Sequence, residues 1–157
     1  MMNVVDIMTA KPVTIHQDGT LHDVLALMET HRYRHIPVIN GEGQLVGMIS
    51  DRDCRLALNS PYLVREGWQD DVLANRLRAR TIMTPAPIVI EPDAPATDAA
   101  RLMLEYRISA LPVIRSETLI GIVTTSDILS AYIKLSRRAT WTPHDDPPRI
   151  PVDQPPR

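Results

Sequence analysis

Apolar residues along this chain alternate between two periods, and the alternation recurs. The extended run Val13-Thr14-Ile15 precedes a stretch in which Leu21, Val24, Leu25 and Met28 fall at i, i+3, i+4 and i+7, one face of a helix. Thr20 with Asp23 three residues later predicts a capping box at its start. A strand follows behind a proline, Pro37-Val38-Ile39, a placement that suits the first residue of a strand or an edge. The turn Asn40-Gly41-Glu42-Gly43 leads into Leu45-Val46-Gly47-Met48-Ile49, which reads as a hairpin partner, and a helix is predicted from Ser50. The same order then returns. Ile88-Val89-Ile90 is extended, and Ala96, Ala99, Ala100 and Met103 form a helical stripe with Pro95 acceptable in the first turn. Pro112-Val113-Ile114 and Leu119-Ile120-Gly121-Ile122-Val123 flank a turn at Ser116-Glu117-Thr118, and a last helix begins at Thr124.

The two stretches match residue for residue. Ile7-Met8-Thr9 answers Ile82-Met83-Thr84, Pro12 answers Pro87, and Asp18 and Asp23 answer Asp93 and Asp98. The offset is 75 up to Glu42 and Glu117 and 74 afterwards, where Gly47, Ser50 and Asp53 meet Gly121, Thr124 and Asp127. A duplication that agrees in turns and caps as well as apolar pattern is a repeat of fold. Two copies are too few for a solenoid, so they are expected to pack on each other. The fold class is α/β (α+β): two β-α-β-β-α repeats related by a pseudo-twofold axis. Residues 1–56 form the first repeat, 57–80 a helical linker, 81–139 the second repeat and 140–157 a Pro-rich tail. In the linker, Arg55-Leu56-Ala57-Leu58 starts a helix, Asn59-Ser60-Pro61 breaks it, and Asp71 to Leu77 forms another. Its apolar residues, Tyr62 and Trp68 among them, predict packing on the module. Six of the fourteen prolines lie in the last fifteen residues, which predicts an extended, disordered tail.

At 157 residues the chain can build one compact body, burying roughly 68–70% of its unfolded surface. A net charge of −2 gives no electrostatic reason to expect nucleic acid. The start MMNVVDIMTA lacks the charged head and apolar stretch of a secretory signal, and no segment approaches a membrane span; the expected compartment is the cytoplasm. Cys54 is the single cysteine, which rules out a disulfide within the chain. It reads as a small packed residue.

The I-M-T start of each repeat, the helix ending before x-x-h-P-V, and the G-h-h-[ST]-x-x-D close together resemble a cystathionine-β-synthase (CBS) domain pair over residues 4–135. The resemblance implies a pseudo-twofold module, dimerisation into a flat disk, and adenosine-containing ligands in clefts between the two copies. Carried over residue by residue, it implies one cleft joining Ser50 and Asp53 to Thr84, Ile88, Val89, Ser109 and Ala110. A second would join Thr124, Ser126 and Asp127 to Thr9, Val13, Thr14, Arg34 and His35. Ser109-Ala110 would let adenine approach the backbone, and Arg34-His35 suits phosphate.

Each of these residues also has an ordinary structural reading. Ser50 with Asp53, and Thr124 with Asp127, are capping boxes that satisfy helix-start N–H groups. On one copy alone that is the favoured reading. The resemblance adds ribose hydroxyls as donors to the two carboxylates, and both roles are compatible. Arg52 suits either phosphate or solvent, and Arg32, Arg34 and Arg107 taken alone read as solvated surface. His31 and His35 have zinc-ligand spacing, but Pro37 follows too closely for one helix to carry both.

The expectation is a regulatory module without cofactor or metal. It binds AMP, ADP, ATP or a related adenosine compound, forms a homodimer, and signals to an effector protein, with no nucleic acid or membrane as partner. The alternative is a structural or interaction module whose clefts stay empty. An enzyme is not expected, because no nucleophile–base pair or metal cluster stands in the sequence.

Overall fold

The computed structural model describes residues 1–58 and 67–136. The expectations for Asn59-Ser60-Pro61, Tyr62, the Trp68 side chain and the tail lie outside the described residues. After a 3-10 turn at Val4–Asp6, the first repeat runs β1 (Thr9–Ala10), β2 (Ile15–His16), α1 (Leu21–His31), β3 (His35–Ile39), β4 (Leu45–Ser50) and α2 (Asp51–Leu58). The connection supplies α3 (Gly67–Arg76) and a short α4 (Ala79–Ile82). The second repeat follows as β5 (Thr84–Pro85), α5 (Ala96–Tyr106), β6 (Ala110–Arg115), β7 (Thr118–Thr124) and α6 (Thr125–Ser136).

The repeats exchange their first strands. One sheet has the order β2-β3-β4-β5 and the other β1-β7-β6. Thr9 of the first repeat therefore pairs with Ile122 of the second, and Thr84 of the second pairs with Met48 of the first. Two glycines make room for this. A Cβ on Gly47 would run into the Met83 side chain, and one on Gly121 would run into Met8. Each repeat thus seats the methionine of its partner against bare backbone. The sequence pattern matched these glycines to each other, but it did not show that the strands cross over.

Both expected hairpins form, each with a bulge at the same place, between Val38 and Ile39 and between Val113 and Ile114. The strands begin two residues before the prolines: Pro37 pairs with Met48 inside β3, and Pro112 with Ile122 inside β6. The extended runs at 13–15 and 88–90 are less regular than expected. Only Ile15 and His16 join a ladder, parallel to Val38 and Ile39, and Ile90 makes a single parallel bridge to Val113. Pro37 and Pro112 have no N–H with which to continue those ladders backwards.

Thr20 and Asp23 cap α1 reciprocally, at 2.9 Å and 3.1 Å, whereas α5 has Pro95 at its N-cap and no side-chain cap. Leu21, Val24 and Met28 reach the first core, joined by Ala74 of α3, and Leu21 N–H donates to Leu77 O at 2.9 Å. The described part of the linker therefore packs on the first repeat. Ala99, Met103, Leu111, Val113 and Val123 form the second core. Met48, Ala110 and Ile122 make a small third cluster where the repeats meet.

Candidate functional site

Two clefts open between the repeats, of about 550 Å³ and about 350 Å³. Ser50, Asp53, Thr84, Ile88, Ser109 and Ala110 line the smaller one, with Met48, Arg52, Ala86, Pro87, Arg107 and Ile108. Thr9, Val13, Arg34, His35, Thr124, Ser126 and Asp127 line the larger, with Pro12, Arg32, Tyr33, Ile122 and Thr125. Two expected residues are displaced from the lining. Val89 is 44% exposed and lies outside the smaller cleft, and Thr14 does not reach the larger one. Both neighbour residues that do line a cleft, and alternation along an extended chain sends adjacent side chains to opposite sides.

The helix starts combine both readings of the aspartates. Ser50 donates from its backbone N–H and its hydroxyl to Asp53 Oδ2 at 2.7 Å and 2.8 Å, and Asp53 N–H donates back to Ser50 Oγ at 3.2 Å. Thr124 and Asp127 repeat the arrangement at 2.7, 2.8 and 3.4 Å. These are capping boxes. They occupy one oxygen of each carboxylate; no hydrogen bond reaches either Oδ1 among the described residues. Each cleft is thus lined by an aspartate with an unused acceptor oxygen at a helix N-terminus, where anions are favoured.

Arg32 and Arg107 stand at matching places because each ends its helix in the left-handed region, at φ 55° and 54°, with its N–H donated to Met28 O or Met103 O. This is a conformation that non-glycine residues seldom adopt. Local sequence gave no sign of it, since glycine or asparagine is the usual signal. Each turn delivers an arginine to a cleft wall. Arg34 adds a second cation to the larger cleft, and Arg52 adds one to the smaller.

His35, Asp51 and Ser109 line both clefts. His35 Nε2 lies 2.9 Å from Ser109 Oγ. Burial holds the imidazole below its usual range; Asp51 and Asp53 pull the other way, and Arg34 adds to the lowering. His31 and His35 are not on one helix: His31 ends α1 and stacks on Tyr33 with ring centroids 5.6 Å apart. Among the described residues no group of three His, Cys, Asp or Glu side chains is placed to hold a metal ion. The Cys54 thiol is buried and pushed up to about 11, chiefly by burial, so it is no thiolate nucleophile. No helix among the described residues is long and apolar enough to cross a membrane.

A duplicated β-α-β-β-α unit with exchanged first strands and twin clefts defines a tandem-repeat module, and the family model for the CBS domain matches it twice, at residues 4–60 and 79–134. The chain belongs to the CBS domain family. A CBS domain-containing protein of Dictyostelium discoideum is 37% identical over 131 residues, covering 82% of this chain and 90% of that protein. The crystal structure of CBSX2, from Arabidopsis thaliana, in complex with AMP is 30% identical, with a TM-score of 0.73 over 87% of this chain and 100% of that one. A CBS domain pair crystallised with 5′-methylthioadenosine and S-adenosyl-L-methionine has a TM-score of 0.73 at 26% identity, over 87% of this chain and 99% of that one.

Proposed function

We propose that this protein is a ligand-sensing regulatory module that binds an adenosine-containing nucleotide in its two clefts. The observation that carries the reading is the twin aspartates, each with one oxygen committed to its helix cap and the other unused among the described residues. Ribose hydroxyls are the complementary donors. Ser109 and Ala110 supply a small-residue wall for adenine in the smaller cleft, and Arg32 and Arg34 supply charge for phosphates in the larger. The adenosine compounds held by the two structural relatives above support this ligand class.

The reading includes a homodimer that passes ligand occupancy to an effector protein. Leu104 on α5 is 82% exposed and Leu129 on α6 57%, while the matching positions of the first repeat are Glu29 and Arg55. The second repeat therefore carries apolar helix surface that nothing among the described residues covers, the kind of surface that marks a protein contact. Thermal melting against a panel of AMP, ADP, ATP and S-adenosylmethionine, with guanosine nucleotides as controls, tests the ligand. A compound at 100 times its Kd stabilises the folded state by about 2.7 kcal/mol, a shift of several degrees. A panel that moves nothing would favour an interaction module with empty clefts.

A further inference from the structure

The two copies differ at one place that both clefts share. His35 corresponds to Ala110, and Arg34 corresponds to Ser109. The His35–Ser109 hydrogen bond therefore has no symmetric twin and stands once, beside Met48, Ala110 and Ile122 where the repeats meet. It also ties the two helix starts together. Asp51 N–H at the head of α2 donates to Arg34 O at 2.9 Å, and Thr125 N–H at the head of α6 donates to Ser109 O at 3.0 Å. A chain of hydrogen bonds and adjacent residues thus runs from one capping aspartate's helix to the other's.

We propose that the His35–Ser109 bond couples the two clefts, so that a phosphate-bearing ligand in one weakens binding of a second in the other. The inference rests on the adenosine-nucleotide reading of the clefts. Its sign follows from counting donors. A neutral imidazole and a serine hydroxyl hold two protons, and the bond between them uses one whichever partner donates. If Nε2 carries its proton, the serine O–H remains; if not, the Nδ1–H remains. One donor is left for two ligand acceptors, an adenine ring nitrogen in the smaller cleft and a phosphate oxygen in the larger, and the first ligand takes it. A second proton on His35 changes the count: Nε2–H donates to Ser109, and both Nδ1–H and the serine O–H are free. Acidification should therefore relax the competition. The charged groups around the imidazole are Asp51 and Asp53 on α2 and the adjacent Arg34. The remaining charges on the cleft walls are Arg32 and Asp127 in the larger and Arg52 and Arg107 in the smaller.

Calorimetric titration of the full chain with AMP tests this. Asp127→Ala and Asp53→Ala report the smaller and the larger cleft alone. The product of the parent's two stepwise association constants should fall at least about fivefold below the product of the single-cleft constants, the lower end of ordinary coupling between sites. With Ser109→Ala added to all three proteins, the two products should agree within about twofold. His35→Ala, which restores the match to Ala110, should do the same. From about pH 7.5 to about pH 5 the parent's deficit should shrink, while in Ser109→Ala the two products should stay within about twofold of each other at both pH values. Equal products in the parent, or an undiminished deficit in Ser109→Ala, would overturn the coupling while leaving the ligand reading intact. AMP binding in neither cleft would overturn both.

Discussion

Replacing Asp53 or Asp127 by asparagine separates the two tasks of each side chain. In the parent, Oδ2 of Asp53 accepts from the Ser50 N–H and hydroxyl at 2.7 Å and 2.8 Å. An asparagine oxygen can take that position, and asparagine is a competent helix-start residue. What the cap loses is the negative charge at the helix N-terminus, about 0.3–1 kcal/mol. The loss towards ligand is larger, because the amide group then replaces the unused oxygen and a donor faces the ribose hydroxyls. A hydrogen bond from a ribose hydroxyl to the charged carboxylate is worth about 1.5–3 kcal/mol, so the loss of one is roughly a ten- to 150-fold weakening of binding. Calorimetry with AMP reads the affinity of each variant, and urea denaturation without nucleotide reads the fold. The expected pattern is a small stability loss with a large affinity loss at the affected cleft. If Asp53→Asn and Asp127→Asn both bind AMP like the parent, the aspartates are helix caps alone and the site assignment fails.

Three further outcomes follow from the geometry. Arg34→Ala should weaken ATP binding more than adenosine binding, with a penalty that shrinks as salt is raised; parallel titrations of both ligands at two ionic strengths check it. Gly47→Ala, which drives a Cβ against the Met83 side chain as far in as its own Cβ, should destabilise the fold by about 1–3 kcal/mol, measured by urea unfolding, and a neutral outcome would contradict the strand-exchange packing. The folded state holds His35 below its ordinary value of 6.5, so it binds fewer protons than the unfolded chain once the pH drops under that value. The stability linked to this group is present above 6.5 and is lost as the pH falls through the window below it. His35→Gln should flatten that part of the stability profile between about pH 7 and about pH 5.

Much of this was legible in the sequence because it is local or repeated. The capping boxes at Thr20, Ser50 and Thr124, the core stripe of α1 and the two hairpins, though not their bulges, all follow from residues within a few positions of one another. The duplication supplied the long-range part, since matching Ser50 and Asp53 to Thr124 and Asp127 requires only an offset. The strand exchange was not legible. Gly47 and Gly121 fit an ordinary strand in sequence, and only the packed structure shows the methionine above each. The left-handed turns at Arg32 and Arg107 were hidden for a different reason: each closes its helix through a backbone hydrogen bond to Met28 O or Met103 O with an arginine where glycine is the usual signal. The contact of His35 with Ser109 joins residues 74 apart through unlike side chains, and no periodicity encodes it. Thr14 and Val89 were misplaced because an extended segment outside the ladder shows its sides only once it is packed.

The most direct test of the nucleotide-sensing account is a crystal structure of the full chain grown with saturating AMP. The account predicts nucleotide in the clefts between the repeats. Ribose hydroxyls should lie within about 2.5–3.0 Å of the second oxygen of Asp53 or Asp127, with adenine against Ser109 and Ala110 in the smaller cleft. Empty clefts at saturation, or nucleotide held elsewhere with both aspartates untouched, would contradict it.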